Sequence, residues 1–131
     1  MKISYSILTH NETDSLLKLI EFLVKHKDEE DEIVILDDYS DNEKTKEILD
    51  SMCSIHEIKF EQRSLLGDFA SQKNHLKNMC SGDYIFNLDA DELPNISFIF
   101  FINHLFGSSS ASILIIYSPL HIRINAFFWP P

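Results

Sequence analysis

"EIVILDD", Glu32 to Asp38, is a run of four apolar residues, three of them β-branched, that ends in two carboxylates. No polar residue interrupts Ile33 to Leu36, so neither face of this segment is built for water. A strand of that kind is covered on both sides, as in a parallel sheet flanked by helices. The preceding chain agrees. "KISYSILT", Lys2 to Thr9, alternates and is rich in Ile, Ser and Tyr, which predicts a first strand. "NETD" then supplies cap-type residues before "SLLKLIEFLVKH", where Leu16, Leu19, Ile20 and Leu23 follow the helical i, i+3, i+4, i+7 spacing. "KDEEDE", Lys27 to Glu32, reads as an acidic, solvated surface connection.

After Asp38 the same alternation continues. "SDNEKTKEILDSM" predicts a helix to about Met52, with Ser40 or Asp41 as its cap. "HEIKF", His56 to Phe60, predicts a third strand. "DFASQKNHLKNMCSG" predicts a helix with Phe69, Leu76 and Met79 or Cys80 on one face and Lys73 and Asn74 on the other. Its stop signal is Ser81-Gly82, with Gly82 expected in the left-handed C′ conformation. "DYIFNLD" predicts a fourth strand. Strands alternating with helices imply parallel pairing and right-handed crossovers, hence an α/β fold: a Rossmann-like, mostly parallel sheet with helices on both faces.

In such sheets ligands bind beyond the carboxyl ends of the strands. That rule selects Thr9, His10, Asn11 and Glu12 after the first strand, Asp37 and Asp38 after the second, and Asp89, Asp91 and Glu92 after the fourth. Alternate residues of an extended chain point the same way, so the two carboxylates flanking Ala90 can reach one cation. Mg2+ or Mn2+ held by one or two carboxylates plus substrate phosphates is the common arrangement in phosphate chemistry. Read alone, Asp89-Ala90-Asp91 also suits a turn, and Asp37-Asp38 suits a helix cap.

Composition narrows the choice of partner. The 131 residues suffice for one domain with a core, and a net charge of −10 argues against a nucleic-acid surface. All 21 acidic residues and 10 of the 11 basic ones lie in residues 1–92, so the chain changes character at Leu93. Two cysteines, Cys53 and Cys80, make neither a disulfide framework nor a zinc site. The N-terminus lacks the pattern of a secretory signal, which points to the cytoplasm.

Taken together, "ISYSILTHNE", "EIVILDDYSDN" and "FASQKNHLKNMCSGDYIFNLDADE", in this order over about residues 3–92, resemble family 2 glycosyltransferases of the glycosyltransferase A-type fold. The resemblance implies that a D-x-D motif binds a metal, Mn2+ or Mg2+, and a nucleotide-diphosphate sugar, with a UDP-sugar as the commonest donor. It implies a nucleoside held by Thr9, Asn11, Glu12, Asp37 and Asp38, with Lys73 and Asn74 on the helix before the metal motif, Lys73 facing the diphosphate. Asp89 and Asp91 match the metal motif, and Glu92 lies on the donor-sugar side. The implied reaction is inverting transfer to a saccharide or other hydroxyl acceptor, in which a separate carboxylate takes the acceptor's proton. The sequence departs from that pattern after Glu92, because no Asp or Glu follows. No catalytic base is assigned, and a truncated, inactive nucleotide-sugar-binding module is the alternative.

Residues 1–92 are therefore expected to form the donor-binding core and residues 93–131 an atypical apolar segment of the same domain, truncated or read from a shifted frame. "ISFIFFINHLF" and "ILIIY", separated by "GSSSAS", predict a buried helix and a strand. Neither reaches the roughly 18 uninterrupted apolar residues of a membrane span. A membrane-surface hairpin is the competing expectation, with Arg123 and "FFWPP" at the inner face of the membrane. Two rivals are disfavoured. A response-regulator receiver needs a Lys beyond the phosphorylated Asp, and the last Lys is Lys77. A nucleotidyltransferase needs an early Gly-rich loop, and the three glycines are Gly67, Gly82 and Gly107.

Overall fold

The computed structural model describes residues 2–91 together with the backbone of residues 115–117 and 123–128. Four parallel strands form its centre: β1 (Ile3–Thr9), β2 (Glu32–Asp37), β3 (Lys59–Gln62) and β4 (Tyr84–Asp89). Helices α1 (Asp14–His26), α2 (Glu43–Ile55) and α3 (Phe69–Met79) connect them. Two further strands, β5 (Ile115–Tyr117) and β6 (Arg123–Phe128), pair antiparallel with each other, and β6 pairs antiparallel with β4. The sheet order is β3-β2-β1-β4-β6-β5.

Period-2 geometry divides the core into two faces. Ile3, Tyr5 and Ile7 of β1, with Ile33, Ile35, Phe86 and Leu88, pack against Leu16, Leu19, Ile20 and Leu23 of α1 and Ile48 and Leu49 of α2. Each of those four α1 side chains is fully buried, and burial of this kind contributes roughly 1.5–3 kcal/mol per side chain. The opposite face holds Val34 and Leu36 with Leu76 of α3. All of Ile33 to Leu36 is buried, as the uninterrupted apolar run requires.

Several local expectations are corrected. The cap of α2 is Asn42, whose side chain accepts from the N–H groups of Lys44 and Thr45, because Ser40 is already committed to Asp37. The third strand starts at Lys59 rather than His56, since His56 caps α2 and Glu57 turns the chain at φ 53°. Gly82 does not take the left-handed conformation: Cys80 ends α3 in extended geometry, and only Gly67 among the described glycines has positive φ. Phe69 is exposed rather than on the buried face, for a reason taken up below. Arg123–Phe128, for which no strand was expected, supplies the backbone of β6. The helix expected between residues 96 and 106 lies outside the described residues.

The acidic run is only half solvated. Asp28, Glu29 and Glu30 are exposed, but Asp31 is buried, and its carboxylate accepts the N–H groups of Ile3 (2.9 Å) and Asp28 (3.1 Å). Burial pushes the Asp31 carboxyl above its ordinary range. Glu32 opens β2 and ties the lower ends of the strands together. Its carboxylate accepts from Ser4 Oγ (2.6 Å) and Ser81 N (2.6 Å) and pairs with Lys59 Nζ at 2.9 Å. Burial alone would raise this carboxyl, but the bonds from Lys59, Ser4 and Ser81 outweigh it and hold it at about 2.

A depressed carboxyl adds stability above its ordinary value of 4.5 and loses that contribution as pH falls through about 2. Glu32→Gln is therefore expected to cost roughly 2–3 kcal/mol at neutral pH. Urea denaturation of both proteins from pH 6 to pH 2 reads this directly. A gap between them that stays constant over the whole range would rule the charge out as its source.

Cys53 and Cys80 are free thiols, and burial pushes both up to about 11, which leaves them unreactive. Among the described residues no helix is long and apolar enough to cross a membrane.

Candidate functional site

The sheet order reverses at β1: the chain goes outward through β2 and β3, then returns to place β4 on the other side of β1. Side by side, β1 and β4 send their carboxyl ends into a common crevice, the position at which open α/β sheets bind ligands. A cleft of about 350 Å³ lies there. Its walls are Leu8, Thr9 and His10 at the end of β1, Glu12, Asp38 beyond β2, Leu65 before α3, Phe69, Gln72 and Lys73 in the first half of α3, and Asp89, Ala90 and Asp91 at the end of β4.

Seven of the residues selected from sequence meet in this cleft: Thr9, His10, Glu12, Asp38, Lys73, Asp89 and Asp91. Three do not. Asp37 is fully buried behind it, accepting from Ser40 N (3.0 Å), Ser40 Oγ (2.5 Å) and Gln62 Nε2 (3.2 Å). Asn11, at φ 60°, turns toward α2, where its Oδ1 accepts from the N–H groups of Asp41 (2.9 Å) and Asn42 (3.0 Å). Asn74 is exposed and does not line the cleft. Glu92 lies outside the described residues.

The loops after β1 and β2 are locked to each other. Thr9 Oγ1 (2.6 Å) and the His10 N–H (2.5 Å) both donate to Glu12 Oε2, and Asn11 N donates to Ser40 Oγ at 2.8 Å. His10 Nδ1 donates to the carbonyl of Asp38 at 2.6 Å, which fixes its tautomer. Asp38 in turn accepts the Leu65 N–H at 2.9 Å and so fastens the loop before α3 to the end of β2. Behind that loop, Arg63 holds α3 in place, donating to Gln72 Oε1 (2.8 Å) and Ser71 Oγ (2.8 Å).

Against this tightly bonded rim, the charged end of the cleft is unspent. Asp89, Asp91 and Lys73 are exposed, and the side chain of none makes a hydrogen bond or ion pair among the described residues. Two neighbouring carboxylates without donors repel each other, a cost that a cation between them would remove. Among the described residues no group of three or more acidic, His or Cys side chains is placed to hold a metal by itself. Two carboxylates nevertheless fit a hard divalent ion that takes its remaining ligands from phosphate oxygens and water.

Sequence reasoning passed over Leu65, Phe69 and Gln72 as cleft residues. Asp68 caps α3 through the Ser71 N–H, and the helix begins at the carboxyl ends of the strands. Its first turn therefore overhangs the crevice instead of packing on the sheet. Helical phase groups Phe69 with Leu76, yet only Leu76 has strand beneath it, leaving Phe69 64% exposed.

A mostly parallel sheet with an acid-lined cleft at its switch point belongs to the doubly wound α/β folds, which bind their ligands at that crevice. This chain belongs to glycosyl transferase family 2, whose family model matches residues 4–100. Among solved structures it is similar to TarS 1-349 of S. aureus, with a TM-score of 0.70 and 22% identity over 82% of this chain. It spans about a third, 32%, of that TarS chain. TarS 1-349 has also been solved in complex with UDP-GlcNAc, with a TM-score of 0.66 to this chain and 20% identity over 82% of this chain and 31% of that one. The mannosyltransferase PcManGT of Pyrobaculum calidifontis, solved with GDP-Man and Mn2+, has a TM-score of 0.57 and 17% identity, over 70% of this chain and 28% of that one. These likenesses establish the glycosyltransferase A-type fold. Comparison with curated protein sequences gives no match.

Proposed function

We propose that the cleft binds a nucleotide-diphosphate sugar, UDP-linked in the first instance, and that the chain is the donor-binding part of a metal-dependent inverting glycosyltransferase. The observation that carries this reading is charge at the switch point that is unpaired among the described residues: Asp89 and Asp91 after β4 and Lys73 on α3, within one cleft. Asp89 and Asp91 would hold Mn2+ or Mg2+, which when bound would neutralise the leaving diphosphate. Lys73 would add a second positive charge beside the same phosphates. Thr9, His10 and Asp38 line the end of the cleft assigned to the nucleoside. The complexes of similar structures with UDP-GlcNAc and with GDP-Man and Mn2+ support a donor and ion of this type.

The acceptor would be a saccharide or other hydroxyl compound, with Glu92 on the donor-sugar side. Residues 1–92 are the proposed donor core, and free thiols suit a reducing, cytoplasmic setting. A second reading is a nucleotide-sugar-binding module, since residues 93–131 contribute no Asp or Glu as a candidate base. The chain would then bind donor without turning it over.

Calorimetric titration of UDP, GDP and their sugars with and without Mn2+, followed by assay of donor hydrolysis, tests both readings. Metal-dependent binding with slow hydrolysis of the sugar supports the enzyme, and binding without hydrolysis or transfer supports the module. A folded protein that binds no nucleotide under either condition refutes both.

A further inference from the structure

Four large hydrophobic side chains are exposed among the described residues, Tyr39, Ile55, Leu66 and Phe69, and of these only Phe69 lines the cleft. Its position relative to Lys73 is informative. The two stand four residues apart on α3, which puts them on one face and roughly 6 Å apart along the helix axis. Both line the cleft, and Lys73 also borders an adjoining hollow with Asp89 that Phe69 does not line. The Leu65 N–H is bonded to Asp38, which ties the chain four residues before Phe69 to the β2 side of the cleft. An exposed phenyl ring one helical turn from a phosphate-facing lysine matches the layout of a nucleoside diphosphate, whose flat base lies a comparable distance from its phosphates.

We propose that Phe69 is a nucleobase-stacking residue, and that the first turn of α3 grips the donor at two points, the base on Phe69 and the diphosphate at Lys73. This inference rests on the nucleotide-sugar reading above and names which side chain meets the base. Stacking is tolerant of base identity because every base presents a π-face, and loss of one aromatic partner typically weakens binding about 5-fold to 150-fold. The occupant is therefore a nucleoside and not the transferred sugar, which belongs beyond the phosphates at the Asp91 end.

The test compares Phe69→Ala with the full-length parent by calorimetry, in Mn2+, using UDP, GDP, UDP-GlcNAc and inorganic pyrophosphate. The variant is expected to weaken the better-bound nucleoside diphosphate about tenfold or more while changing pyrophosphate affinity by less than about twofold. Phe69→Trp is expected to restore nucleotide binding. Thermal melting should be almost unchanged, because the side chain supports no core contact. Unaltered UDP and GDP affinity in the variant would overturn the proposal, including the case in which only UDP-GlcNAc is weakened and the ring faces the sugar. Equal loss of pyrophosphate would overturn it too, since the helix end and not the ring would then be responsible. If the parent itself binds neither nucleotides nor pyrophosphate, the donor reading has failed, a result visible before any variant is made.

Discussion

Asp91→Asn is expected to abolish Mn2+-dependent nucleotide binding, lowering UDP affinity by about 100-fold or more, while leaving the ligand-free protein as stable as the parent or slightly more so. The two halves of this expectation have one cause. Asp89 and Asp91 are exposed, flank a buried Ala90 and receive no hydrogen bond among the described residues. Among the described residues no side-chain interaction depends on their charge, and removing one relieves repulsion. With an ion and diphosphate present, the same carboxylate becomes a ligand that a neutral amide replaces poorly. Titration and melting of the same preparation check both halves. A variant that melts well below the parent would reassign Asp91 to a structural turn, and one that still binds UDP only in Mn2+ would remove it from the metal site.

Gly82→Ala is expected to destabilise the protein by roughly 2–4 kcal/mol. A Cβ built at Gly82 meets Ser4 Oγ at 2.6 Å, Ser4 N at 2.7 Å and Lys2 O at 2.9 Å. Two of these are backbone atoms at the start of the central strand, so no rotamer change makes room. The same spot carries the Gly82 N–H bond to Ser4 Oγ (2.8 Å) and the Asp83 N–H bond to Lys2 O (2.7 Å). Gly67 is the control, since nothing lies within 4 Å of its Cβ position and its φ of +75° is the only obstacle. Gly67→Ala should lose only about 1 kcal/mol. If chemical denaturation gives Gly82→Ala the stability of the parent, the close approach of these two chain segments is not as tight as described.

The alternation of strands and helices was legible because each element carries its own period: the unbroken Ile33–Leu36 run, the α1 stripe, the acids at strand ends. What escaped depends on neighbours in space. Asp37 and Asp38 look equivalent as a pair, yet adjacent residues at a strand end point apart, and only Asp38 reaches the cleft while Asp37 is consumed by Ser40 and Gln62. Ser40 is a good cap in isolation and is spent elsewhere. Gly82 carries the right residue type for a helix stop, but what the position excludes is a side chain, and the excluding atoms are about 80 residues away in sequence. Phe69 has the right helical phase for burial and no strand beneath it.

The pairing of β1 with β4 also sets an order of assembly. Leu8 stands opposite Asp89, so the floor of the cleft joins the first strand to one made some 80 residues later. While the chain is being synthesised, β1, β2 and β3 with their connecting helices can assemble, but one edge of β1 has no neighbour until β4 emerges. That open edge is a template for any passing strand. The acids of the site arrive on the very segment that covers this edge, so β1 gains its second neighbour only in a chain that already carries Asp89, while the far edge of β4 waits for β6.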